Sequence, residues 1–154
     1  MYKSIMKRCT IAMALSIAFV SGANAEDSLY HEFGGEKAMT AVVDQFLWNL
    51  ADDERINHFF VETNLLRFRE KLLEYFCLVS DGPCNYTGDD MIRTHANLGI
   101  SVADFNVVVE NLINAMKTED INTASQNRLL KRLAQSYSDV VNVPPASHEK
   151  LVSK

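Results

Sequence analysis

Side chains able to do chemistry are few in this sequence, and their spacing excludes most familiar sites. Four histidines stand at His31, His58, His95 and His148, and none has another histidine three or four residues away. A zinc or dinuclear site built from two imidazoles on one helix face is therefore not encoded. The nucleophile elbow G-x-S-x-G, the phosphate-cradling P-loop, the H-E-x-x-H helix and the C-x-x-C pair are all missing. So is the C-x-x-C-H stretch of covalent cofactor attachment. What remains is His95, the one histidine inside a clear helical segment, and a pair of cysteines, Cys77 and Cys84. A lone helical histidine is either a structural or surface group or the single protein ligand of a metal. Phe46, Phe59, Phe60, Phe68, Tyr75, Phe76 and Phe105 concentrate the aromatic rings, and at helical spacing they build an apolar core.

These groups need elements to hold them. Residues 1–25 stand apart from the rest of the 154-residue chain: Lys3, Lys7 and Arg8 precede an eleven-residue apolar run at 10–20, and Ala23 and Ala25 follow at the spacing a signal peptidase requires. A bilayer span takes about 20 apolar residues, so the run is too short to cross. It reads as a secretory signal cut after Ala25, with no membrane insertion after cleavage. Cleavage leaves 12 basic residues (15 less three) against all 20 acidic ones, moving the net charge from −5 to −8. That balance argues against nucleic acid as a partner, because phosphate binding needs clustered Lys and Arg. In an oxidising compartment Cys77 and Cys84 pair by default, with buried free thiols as the alternative. A bridge over so short a loop contributes roughly 2–3 kcal/mol. A catalytic dithiol finds nothing nearby arranged to lower a thiol pKa.

Apolar residues recur at helical spacing through Met39, Val42, Val43, Phe46, Leu47 and Leu50 to about Ala51. From Asn64 the pattern repeats through Leu65, Phe68, Leu72, Tyr75, Phe76 and Val79, until Asp-Gly-Pro at 81–83 stops it. A short helix capped by Asp89 is expected to run to about Asn97. Ser101 and Asp104 have capping-box spacing and open a helix carrying Phe105, Val108, Val109, Leu112, Ile113 and Met116. A last helix, capped by Thr123, carries Leu129, Leu130, Leu133, Tyr137, Val140 and Val141. No useful segment alternates with period two. The fold class is all-α, with one domain at 26–142 and a flexible tail at 143–154.

The order of local motifs adds a resemblance. Leu29-Tyr30, Gly34-Gly35, an Ala-Val-Val-Asp-Gln-Phe helix, Ile56-Asn57-His58-Phe59-Phe60, Gly82-Pro83, Tyr86-Thr87-Gly88, Met91, His95, Gly99-Ile100 and Phe105 follow one another. This resembles the group I truncated haemoglobins over about residues 29–142. The resemblance implies a two-on-two helical sandwich around a non-covalent haem b, with His95 as the proximal iron ligand. It makes Phe60 the wedge at the corner, Phe46 a distal-side aromatic, and Tyr86 part of the loop approaching the proximal side. Met91, Ile100, Phe105, Val108, Leu112, Met116 and Leu133 would line the cavity. Of the family's two glycine pairs, the second is half present, as Asp81-Gly82.

The distal side departs from the family pattern. Members often carry a tyrosine and a glutamine where this chain has Leu47 and Leu72, with Phe68 one turn before Leu72. None of these can donate a hydrogen bond, which implies weaker or shorter-lived oxygen binding, with carbon monoxide less affected. Nor do they supply the acid–base group a peroxidase uses, and no catalytic residue is assigned. Lys71 and Tyr75, four apart, share a helix face beside Phe68 and Leu72. Lys71 is expected to reach a haem propionate or the surface; the alternatives are iron ligation as a neutral amine and Tyr75 turning inward to donate to the ligand. The expected activity is reversible binding of oxygen, carbon monoxide or nitric oxide by an exported monomer, in a bacterial periplasm. An exported redox protein with its own redox partner, and a haem-free helical interaction module, are the competing functions.

Overall fold

The computed structural model describes residues 28–142; the expected signal and tail lie outside the described residues. The first helix, α1 (Leu29–Phe33), is capped by the Ser28 hydroxyl, which accepts from the His31 N–H. Five residues are too few to show a periodicity, so the sequence gives no sign of this helix. It ends at Gly34, whose φ of 107° lies in the left-handed region that glycine enters without strain. The chain then turns straight into α2 (Gly35–Asp52), which buries Met39, Val42, Val43, Phe46 and Leu50. Those positions are the apolar stripe that the sequence spacing marks out.

A 3-10 turn at Asn57–Phe60 makes the corner before α3 (Leu65–Val79), where the Asn64 side chain accepts from the Arg67 N–H. Then follow α4 (Met91–His95), α5 (Val102–Thr118), α6 (Thr123–Leu133), a 3-10 turn at Ala134–Ser136 and α7 (Tyr137–Val140). Helix α2 lies across α5 and pairs with α3, α6 closes against α1, α3 and α5, and α7 packs on α4. The core between these layers contains Leu29, Val42, Val43, Ile56, Ala115, Met116 and Leu129, all fully buried. Burial of each large side chain among them stabilises the fold by about 1.5–3 kcal/mol. Among the described residues, no helix is long and apolar enough to cross a membrane.

Several ends differ from the sequence expectation. Asp90, not Asp89, caps α4, its carboxylate accepting from the Arg93 N–H. This helix stops at His95 rather than Asn97, because Ala96 is extended and both Asn97 (φ 64°) and Gly99 (φ 68°) are left-handed. Asn122 caps α6 in place of Thr123, which is its first helical residue. The expected single helix to Val141 is broken by the turn at Ala134–Ser136. The Ser101–Asp104 capping box forms with both of its reciprocal bonds. At the incomplete glycine pair, Asp81 itself adopts φ 58°, and Arg132 donates to its carboxylate at 2.6 Å. The backbone bend is thus kept although one of the two glycines is absent.

Candidate functional site

His95 closes α4, and its ring is tied down by its own helix: Nδ1 lies 2.8 Å from the carbonyl oxygen of Met91, one turn earlier. A carbonyl only accepts, so Nδ1 is the donor, and in the neutral ring the lone pair is on Nε2. A half-buried imidazole with a fixed tautomer and a free Nε2 is what an iron ligand requires.

The apolar side chains fall into two sets. Phe46, Ile100, Leu112 and Met116 are buried. Leu47, Phe60, Phe68, Leu72, Val108 and Leu133 pack against the core yet stay partly exposed, while Met91 and Phe105 are half-buried outside that set. Two ring pairs stiffen the α2–α3 wall: Phe60 stacks on Phe68 at 5.5 Å and Phe46 on Phe76 at 6.3 Å. A large planar apolar group with one basic nitrogen to offer its metal matches this set, so the residues fit a haem. Positions 47, 68 and 72 bring hydrocarbon alone.

The polar residues singled out beside that wall are engaged elsewhere. Lys71 donates to Glu70 and Glu74, both at 2.9 Å, and to the Thr87 hydroxyl at 2.5 Å. Its carboxylate partners, Glu70 first and then Glu74, hold its ammonium above the usual lysine range. Glu74 in turn accepts from the Thr87 N–H at 2.8 Å, which together with Lys71 keeps its carboxyl below the usual range. The Tyr75 hydroxyl shares a hydrogen with Ser136 at 2.9 Å, and Tyr86 donates to the Asp89 carbonyl at 2.7 Å. Their rings meet at 5.4 Å. Tyr75 and Tyr86 therefore tie α3, the 3-10 turn at Ala134–Ser136 and the loop before α4 together, and neither hydroxyl is free. Cys77 and Cys84 form a disulfide with Cα atoms 5.9 Å apart, joining the end of α3 to that loop. Glu74 and Thr87 escape a sequence reading, although Glu74 sits three residues beyond Lys71, where a helical ion pair is common.

Comparison with known proteins agrees with this geometry. The bacterial-like globin family matches residues 28–142. A group 1 truncated haemoglobin of Tetrahymena pyriformis is 27% identical over 118 residues, covering 77% of this chain and 98% of its own length. Another, from Mycolicibacterium paratuberculosis, is 31% identical over 107 residues, covering 70% and 79%. The solved Tetrahymena pyriformis protein in its Fe(III) form superposes with a TM-score of 0.72, covering 75% of this chain and 98% of that one. A group II truncated haemoglobin of Bacillus anthracis, 20% identical with a TM-score of 0.70 over 79% of this chain and 96% of its own, shares the fold alone. The two-on-two helical sandwich, the histidine that ends α4 and the matched family together place the chain in the bacterial-like globin family, among the group 1 truncated haemoglobins.

Proposed function

We propose that this chain is an exported monomeric haemoglobin that takes up a diatomic gas reversibly and releases oxygen quickly. Haem b binding and gas binding go with the family; export and the ligand preference are the further steps. When bound, the haem supplies the iron at which the gas is held. His95 would offer Nε2 to that iron, with its Nδ1–H held on the Met91 carbonyl. Phe60 and Phe68 stack at the corner to form an apolar edge. Lys71 already donates to Glu70, Glu74 and Thr87, so meeting a haem propionate would require it to give up one of these bonds.

The observation that carries the ligand preference is the side chains at 47, 68 and 72: leucine, phenylalanine and leucine. Oxygen gains from a hydrogen bond because it takes up partial negative charge when bound, and carbon monoxide takes up less. A pocket without donors therefore favours carbon monoxide over oxygen. Export is supported by the signal-like residues 1–25 and by the Cys77–Cys84 disulfide, a bond kept in oxidising compartments.

The test is to reconstitute residues 26–154 with haemin, reduce the product and follow ligand release by stopped flow. The expected result is a Soret band, fast oxygen release and ordinary carbon monoxide release. Slow oxygen release would overturn the ligand preference, and no Soret band would overturn haem binding itself. Immediate oxidation by oxygen, without a reversible phase, would favour an electron-transfer protein working with a redox partner.

A further inference from the structure

One residue brackets the loop that follows His95. Asn142 donates through Nδ2 to the His95 carbonyl at 2.9 Å and through its backbone N–H to the Ile100 carbonyl at 3.1 Å. Between these two acceptors the chain reverses through left-handed Asn97 and Gly99. The other donor to the His95 carbonyl, the Leu98 N–H, stands at 3.4 Å and is the weaker of the two. Helix α4 has five residues, far below the length at which a helix holds itself in water. Its geometry therefore comes from its neighbours, and the helix packed on it is α7. Helix α7 is itself held to α5 by the edge-on contact of Tyr137 with Phe105, 4.9 Å between ring centres. A continuous path thus runs from α5 through Phe105, Tyr137 and Asn142 to the backbone of His95.

We propose that Asn142 is a positioning residue for the proximal imidazole. It fixes the C-terminal end of α4 so that His95 Nδ1 stays on the Met91 carbonyl and Nε2 keeps one direction. The inference rests on His95 being the haem ligand and adds the residue that holds it. Nothing in the sequence marks Asn142, which stands alone at the edge of the domain as an ordinary polar residue.

The test compares the mature chain with Asn142→Ala and Asn142→Asp. The first loses the side-chain bond. The second keeps the size but presents a carboxylate, which cannot donate to a carbonyl. Without haem, amide hydrogen exchange over residues 91–100 should accelerate in both variants, while amides of α2 and α5 exchange as in the parent. With haem, transfer to a haem-scavenging apoprotein should run about two- to tenfold faster, the effect of one neutral hydrogen bond. The iron–histidine stretching band of the ferrous protein should shift or broaden. Parent-like exchange at 91–100, or acceleration spread over α2 and α5, would overturn the proposal. So would an unmoved stretching band, which would leave Asn142 a stability residue only. The exchange arm needs no haem, so a parent chain without a Soret band would defeat the proposed function while the hold on α4 is still decided.

Discussion

Leu47 is the residue at which the proposed ligand preference can be tested directly. It is partly buried on α2, one position beyond the buried Phe46. A tyrosine there would point a hydroxyl where the chain now has methyl groups. A hydrogen bond to a charged or strongly polarised acceptor is worth about 1.5–3 kcal/mol, and 1.4 kcal/mol is tenfold in an equilibrium. Leu47→Tyr is therefore expected to slow oxygen release by about tenfold or more and to change carbon monoxide release much less, as read by stopped flow. Lys71 calls for the opposite kind of experiment, one in which nothing should happen. Binding iron requires a neutral amine, whereas Glu70 and Glu74 keep this nitrogen protonated. The ferric absorption spectrum at pH 7 should be the same in Lys71→Ala as in the parent; conversion of a low-spin spectrum to a high-spin one would identify Lys71 as a sixth ligand.

At the scale of elements, the joint between α3 and the loop leading to α4 is tied in several ways. The disulfide, the Glu74–Thr87 bonds and the Tyr75–Tyr86 contact all cross it. Gly82 lies inside this joint with no room for a side chain: a Cβ there would fall 2.5 Å from Cys77 Sγ and 2.8 Å from the Tyr30 ring. Loop-closure entropy for a bridge between residues seven apart gives roughly 2–3 kcal/mol. The double variant Cys77→Ser/Cys84→Ser should therefore melt about 8–15 °C lower, and the reduced parent should match it in the same thermal scan. A melting point equal to that of the oxidised parent would show that the other ties suffice. The cysteine pair was legible because two cysteines so close in sequence, Cys77 and Cys84, can close a short bridge. The helix caps were less so: whether Asp89 or Asp90 caps α4, and whether Asn122 or Thr123 caps α6, depends on which backbone turns extended. Neighbouring residues of similar chemistry do not reveal that. The break in the last helix was illegible for a related reason, since an apolar period continues unchanged through one tight turn.

For the whole molecule, the layer order was legible from apolar spacing and motif order, while the polar ties between layers were not. A hydrogen bond between residues distant in sequence leaves no period to read. The network joining the end of α2 to α5 is of this kind. Asn49 donates to the Asn111 carbonyl at 3.0 Å, Asn111 donates to Asp53 at 2.7 Å, and Arg55 bridges Asp53 to Glu110. Arg55 and Asn111 together hold the Asp53 carboxyl well below the usual carboxylate range. A carboxyl whose pKa is depressed on folding adds stability that is complete above its unfolded pKa, near 4. That contribution is lost as the pH falls through the folded value. Acidification also removes negative charge from an acidic chain, which relieves repulsion across the whole surface and can mask a single tie. Comparing the parent with Asp53→Asn at each pH cancels the shared part, because the two chains differ in one titrating group. Asp53→Asn should melt several degrees below the parent at pH 6, and the gap should narrow below pH 4, where Asp53 of the unfolded parent takes up a proton that the folded chain still refuses. A gap that stayed constant from pH 6 to pH 3 would mean that packing around Asp53, rather than its charge, joins α2 to α5.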